Sequence, residues 1–247
     1  RQTSVAANGT PSMTNMIADF SNGFYPSEIH EDNLYAPYMS ILGYQGYLMD
    51  PMGGADSMLY TPYAYNANRM AYQGEESGRI EEYNFSYAAN VGHYLYIGAG
   101  IGLQTIDYRL ISYSGEMYDN GASATLRNEF NTSGIGCNLR IGVIGRPISW
   151  MRVGVSFQTP TWYAMTDRYY GKIKGEYTSV DYDIIEYSTP NSSSNYGFNA
   201  PLKAQASVGF VLGKVGLINV DYLYTHNVGM KFKGGKSDYL FAGPEFV

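Results

Sequence analysis

Between Glu82 and Pro160 apolar and polar residues alternate in four successive runs. In the first, Tyr83, Phe85, Tyr87, Ala89 and Val91 oppose Asn84, Ser86, Ala88 and Asn90. After His93, Leu95, Ile97, Ala99, Ile101 and Leu103 oppose Tyr94, Tyr96, Gly98, Gly100, Gly102 and Gln104. The third sets Ile135, Cys137, Leu139, Ile141 and Val143 against Gly134, Gly136, Asn138, Arg140 and Gly142. The fourth sets Met151, Val153, Val155 and Phe157 against Arg152, Gly154, Ser156 and Gln158. Successive side chains of a strand point to opposite faces, so these runs predict a sheet with one continuous apolar surface.

What that surface faces is decided by the connections. A soluble sandwich would bury it against a second sheet and join its strands by short turns at both ends. Here Gly92-His93 and Arg146-Pro147-Ile148-Ser149 are short, whereas 107–128 and 159–200 are long and polar. Tight turns at one end and long loops at the other predict an antiparallel transmembrane β-barrel, with lipid outside and a polar lumen inside. Trp150, Trp162 and Tyr163 are placed to form aromatic girdles at the membrane boundaries.

Composition agrees with this all-β reading. No window holds the ~18 consecutive apolar residues of a transmembrane helix. Tyrosine, 26 of 247 residues, suits both girdles and wet lumens because its apolar ring ends in a polar tip. A net charge of -6 argues against nucleic acid as a partner. The single Cys137 forms no intrachain disulfide and falls on the predicted lipid face as a small apolar filler. No secretory leader is read at the start, so an outer-membrane location implies a mature, trimmed or partial chain.

Residues 1–79 read as an external loop and helical segment, and 80–247 as membrane strands with their loops. Thr10-Pro11 followed by Met13, Met16, Ile17 and Phe20 predicts a short amphipathic helix ending at Gly23. A second is expected over Pro37 to Tyr47, carrying Tyr38, Ile41 and Leu42, and Asp50 to Gly78 reads as loop. These apolar side chains either gather a hydrophobic ligand over the barrel mouth or pack the segment onto the rim. Asp167 to Thr189 suits an exposed hairpin, with Asn191 to Asn195 as its flexible tip. A fifth strand carries Leu202, Ala204, Ala206, Val208, Phe210 and Leu212 outward. After a tight turn at Gly213-Lys214, a sixth carries Ile218, Val220, Tyr222 and Tyr224; Met230 to Val247 begins a seventh.

Several stretches carry a family resemblance. Glu82-Tyr83-Asn84-Phe85-Ser86 through Ile106-Asp107-Tyr108, Gly142-Val143-Ile144-Gly145-Arg146-Pro147, Phe157-Gln158-Thr159-Pro160-Thr161-Trp162-Tyr163 and Gly216-Leu217-Ile218-Asn219-Val220-Asp221-Tyr222 resemble the long-chain fatty-acid transporter (FadL/TodX-like) family. The branch most similar is labelled hemin-receptor or aromatic-hydrocarbon transport. That resemblance, over about Ser77 to Thr225, implies a 14-stranded barrel in the outer membrane of a Gram-negative bacterium. It also implies an N-terminal hatch and passive uptake of a hydrophobic small molecule. Only six or seven strands are counted here, and no hatch. An unclosed sheet in lipid leaves unpaired N–H and C=O groups. The chain is therefore expected to be completed by a missing part of the same barrel or by a second chain.

Chemistry-bearing residues are few. Gly98-Ala99-Gly100-Ile101-Gly102 lies inside a strand pattern with no helix after it and so does not read as a phosphate loop. His30, His93 and His226 lack metal-ligand spacing, and no serine, histidine and acid are nominated as a catalytic set. We expect no catalytic residue, metal or cofactor. Arg140, Arg152 and Lys203 fall at inward positions, with Asn138, Gln158 and Gln205 near them and Asp221 as an internal partner for the cations. One cation would bind the carboxylate head of an apolar ligand. Rival readings are a non-transporting barrel that docks or assembles surface proteins, and a soluble tyrosine-rich β-domain.

Overall fold

The computed structural model describes residues 2–6, 10–33, 35–179, 182–189, 192–213 and 215–234. Its N-terminal third holds β1 (Gln2–Ala6), β2 (Thr10–Pro11), α1 (Met13–Ser21), α2 (Tyr38–Gln45), β3 (Met49–Pro51), β4 (Tyr60–Pro62) and β5 (Asn66–Ala67). Next come β6 (Arg69–Val91), β7 (Leu95–Met117), β8 (Ser123–Ile148), β9 (Met151–Gln158), β10 (Trp162–Ser179) and β11 (Tyr182–Ser188). The chain continues through β12 (Ser192–Asn199), β13 (Leu202–Leu212), β14 (Gly216–His226) and β15 (Lys231–Lys233).

An antiparallel 11-stranded sheet dominates. Its strands form long staves laid side by side: β6, β7, β8, then β9 continued by β10, β12 continued by β13, and β14 continued by β15. The continued staves are interrupted at one level. Thr159, Pro160 and Thr161 separate β9 from β10, Ala200 and Pro201 separate β12 from β13, and a 3-10 turn at Asn227–Gly229 separates β14 from β15. Proline offers no N–H to a ladder and so marks such breaks. Thr159 Oγ1 stands in for the missing backbone acceptor, taking the Leu139 N–H at 3.0 Å.

Register joins the predicted apolar positions into rows. Tyr87 pairs Ala99, Ala99 pairs Ile141, Ile141 pairs Phe157, Phe157 pairs Ala204, and Ala204 pairs Tyr224. The adjacent row runs Ala89, Ile97, Val143, Val155, Ala206 and Tyr222. Directly paired residues share a face, so the apolar surface is continuous across every stave. It is also open, with Tyr87 81% and Val155 59% accessible. On β7 and β8 the apolar positions run from Leu95 to Ile135, which pairs Thr105, over roughly 33 Å of strand, and in that last row the outermost staves carry Glu81 and Lys233. At the ~40° tilt of membrane barrels this is about 25 Å, the height of their apolar band.

The enclosed core lies elsewhere, at the far end of the opposite, inner face. Ser12 caps α1, its hydroxyl accepting the Asn15 N–H at 3.1 Å. Ile17, Ala18, Ile41, Leu42, Leu48 and Met49 then pack over Ala124 and Leu126 of β8 and Ile173 and Tyr177 of β10. At Gly43 the helices meet so closely that a Cβ would stand 2.2 Å from Ile17 Cγ2. Together these helices and the β3–β4 hairpin form a cap on the sheet.

The structure departs from the sequence reading in four places. Stretches 107–128 and 159–200 are mostly strand rather than long loops: β7 runs to Met117, turns within 118–122, and returns as β8. Polar Thr, Ser and Tyr on both faces of a projecting ladder read like a loop in one dimension, yet the backbone pairing is unbroken. The boundary at 79/80 moves, since β6 begins at Arg69. Residues 192–195, expected as a flexible tip, pair with β10. Of the seventh strand expected over Met230 to Val247, the described part is the short β15, which extends the sixth stave beside β12. Residues 235–247 lie outside the described residues.

Candidate functional site: the inner face of the sheet

Inward rows beneath the cap are built on small residues. Gly98, Gly100, Gly142 and Gly154 leave an open groove of about 590 Å³, walled by Asn84, Ser86, Tyr96, Arg140 and Ser156. Absence of side chains on the central strand lets groups two staves apart meet. Arg140 on β8 reaches over Gly100 and Gly102 of β7 to β6, where its guanidinium pairs with Glu82 and donates to Asn84 Oδ1 at 3.0 Å. A Cβ on Gly102 would stand 2.7 Å from Glu82 Oε1 and 2.8 Å from Asn138 Oδ1. A side chain at this position would have to displace the Glu82 carboxylate or the buried Asn138 amide.

The predicted lumen residues divide into groups. Arg140, Gln158 and Lys203 share one row across three staves. Gln205 lies a row away, facing Ser156. Asn138, fully buried, donates to Thr161 Oγ1 at 3.3 Å while its Oδ1 has no hydrogen-bond partner among the described residues. Arg152 pairs Gly209 near the tight-turn end, several rows from Arg140, and joins no cluster with it. Asp221 is not the partner of these cations: it accepts from Gln205 Nε2 at 3.3 Å and Asn219 Nδ2 at 2.6 Å. Arg140's carboxylate is Glu82, and among the described residues Arg152 and Lys203 have no ion pair.

The aromatic residues expected at the girdles lie at two levels of the sheet, and Tyr163 departs from the expected face. Trp150, stacked on Phe210 at 5.9 Å, lies in the turn before β9, and Trp162 pairs Cys137 on the outer face. Tyr163 pairs Gly136 on the inner face and donates its hydroxyl to Gln104. It faces inward because the interruption at Thr159 to Thr161 adds one residue between Gln158, opposite Arg140, and Trp162, opposite Cys137. Cys137 is exposed on the outer face.

Above the groove, Ile106, Leu110, Phe130 and Met165 share the inward face with Glu76, Thr132, Asp167 and Tyr108, which meets Phe130 edge-on at 6.4 Å. Tyr163 stacks on Phe198 at 6.0 Å, and Phe198 meets Phe232 at a tilt at 4.9 Å. Then comes the cap. Met13, Ile17, Ile41 and Leu42 are buried in its core and Tyr38 packs on Tyr169 at 4.6 Å, so these side chains pack the cap onto the sheet. Met16 and Phe20, 45% and 58% accessible, remain exposed on the cap.

Sequence reasoning missed the residue that joins cap to sheet. Glu116, at the end of β7, accepts the Met13 N–H at 2.8 and 2.9 Å and the Tyr118 hydroxyl at 3.1 Å. It thereby occupies the positive end of the α1 dipole. Burial holds its carboxyl above the usual range, against the lowering effect of those hydrogen bonds. Its one sequence signal was an acid after Ser114 and Gly115, just before a turn. No group of three or more histidine, cysteine or acidic residues among the described residues is arranged to hold a metal. Compared with known proteins, the chain matches no family model, no curated protein and no solved structure.

Proposed function

We propose that this sheet is part of the wall of an outer-membrane β-barrel that passes small hydrophobic molecules by passive diffusion. The observation that carries the reading is the outer apolar face, about 25 Å tall on β7 and β8 and continuous across all six staves in the rows of Ile97 and Ala99, opposite a groove-bearing polar face. Exposing such a band to water would be costly, and lipid removes the cost. Among the described residues β6 pairs with β7 and, over Met70 to Gly74, with β1, while β14 pairs with β13. The remaining edges need ladder partners in lipid, so further strands, from the same polypeptide or a second chain, complete the ring.

Apolar cargo is favoured by the order of surfaces along the inner face. The cap carries exposed Met16 and Phe20, the aromatic and aliphatic strip around Phe130 and Met165 follows, and the glycine-floored groove lies beyond. A molecule moving inward would meet apolar contacts first and afterwards Lys203, which has no ion pair among the described residues. Arg140, already held by Glu82, orders the groove wall.

Reconstitution tests this. Liposomes containing the full-length protein should take up a fluorescent fatty acid and a neutral aromatic hydrocarbon faster than protein-free liposomes, and Met165→Glu should slow both. No acceleration for either refutes transport. Lys203→Gln should slow the fatty acid alone; equal loss for the hydrocarbon removes carboxylate recognition from the account.

A docking subunit is the second reading, favoured by the apolar side chains on the cap's surface, where Met16, Phe20, Met58 and Leu59 are 45%, 58%, 41% and 56% accessible. It gains if uptake is absent while Phe20→Glu abolishes co-purification of a surface protein.

A further inference from the structure

We propose that the outer face carries, just beyond the apolar band, a binding site for the phosphorylated headgroup of a membrane lipid. The inference rests on the reading of that band as membrane-embedded. The row of Ile135 and Ala164 already carries Glu81 and Lys233 on the outermost staves, and beyond it the outward rows turn polar on every stave. The next row runs Arg79, Asp107, Ser133, Thr166 and Asn195, and the one after it Ser77, Arg109, Asn131 and Arg168. Each row advances about 7 Å along the strand, or about 5 Å along the normal at a ~40° tilt, so the arginines stand at headgroup depth.

Two adjoining clefts of about 1110 and 520 Å³ open on this face. Ser133, Ala164 and Gly197 give the larger a low floor, with Arg79 toward one side and Lys233 toward the other, and Arg168 borders the smaller. Not all of this charge is neutralised. Arg79 is held by Asp107 at 3.1 Å and Glu81 at 3.6 Å, but Glu129 alone serves both Arg109 and Arg127, each at 2.7 Å. Among the described residues Arg168 and Lys233 have no ion pair. Arg109 and Arg168 flank Asn131, so their backbones lie about 10 Å apart, a gap two extended guanidiniums close around a phosphate. Continuity with the apolar band selects a lipid over a free anion: acyl chains lie along Leu103, Trp162 and Ile135 while the headgroup meets the cations above them.

The test is native mass spectrometry of the full-length protein in neutral detergent, titrated with a diphosphorylated glucosamine lipid, its dephosphorylated counterpart, and inorganic phosphate. The phosphorylated lipid should bind at least about tenfold more tightly than the dephosphorylated one, and Arg168→Gln and Lys233→Gln should each reduce that affinity by up to about tenfold. Equal affinity for both lipids, or undiminished affinity in the double variant, overturns the site. Inorganic phosphate binding as tightly as the lipid overturns the choice of a lipid. Flotation with phosphatidylcholine vesicles separates this failure from that of the underlying reading. A protein that floats but ignores phosphate loses only the headgroup site, whereas one that stays in the aqueous fraction without detergent loses the membrane reading too.

Discussion

Replacing Gly43 with alanine adds a methyl 2.2 Å from Ile17 Cγ2, a side chain with no accessible surface. Overpacking of this kind costs ~1–3 kcal/mol, and the higher helix propensity of alanine returns about 1 kcal/mol, so Gly43→Ala should weaken cap docking by about 1 kcal/mol. Ile17→Ala removes three buried carbons from the same contact and should cost about 3 kcal/mol. The double variant is the informative one. The new methyl enters the space the isoleucine leaves, so the combined loss should fall to ~2–3 kcal/mol, a coupling of about 1–2 kcal/mol. Hydrogen exchange of the α1 and α2 amides, read by mass spectrometry on the full-length protein, reports the opening free energy of each variant. Losses that add to within about 0.5 kcal/mol would refute the close helix approach as the seat of cap stability.

Three further outcomes follow from other contacts. Gly102→Ala should push Glu82 off Arg140, and Glu82→Gln should reproduce its effect on fatty-acid uptake; a Gly102→Ala protein indistinguishable from the parent would show the bare β7 floor to be unnecessary. Cys137, exposed on the outer face, should react in proteoliposomes with a lipid-soluble maleimide and resist a membrane-impermeant one, and the reverse order would place that face in water. Because burial raises the Glu116 pKa above 4.5, the docked cap binds a proton more tightly than the free segment. Its contribution to docking is full below about pH 4.5 and is lost as pH rises through the raised value. Proteolysis within 10–67 should accelerate with pH over that window, and Glu116→Gln should flatten the profile.

Much of the sheet could be read from alternation alone, because wherever one face is apolar and the other small or polar the period of two survives in one dimension. Tyr83 to Leu103, Ile135 to Val143, Met151 to Phe157 and Leu202 to Tyr224 show this, and the register joins them into one apolar face. The projecting half of β7 and β8 carries polar or aromatic side chains on both faces and loses that signal. Arg140 illustrates the limit for the site. Its partner Glu82 is 58 residues away and on a non-adjacent stave, reachable only over glycines whose significance depends on the register. Tyr163 illustrates another: its side is set by an interruption that strand periodicity alone does not reveal.

That interruption gives the sheet an arithmetic of its own. Below Thr159 the even residues of this stave face inward, and above Thr161 the odd ones do. One inserted or deleted residue between them would leave β9 untouched and reverse the parity of β10 alone. Tyr163, Met165 and Ile173 would be turned out, taking the floor from under the cap, and Arg168 would be turned in. A change of two residues would restore every side chain to its side. Natural length variation at this point should therefore come in pairs, and a scan of single-residue insertions should find this short segment less tolerant than the turn at 118–122, though both lie between strands.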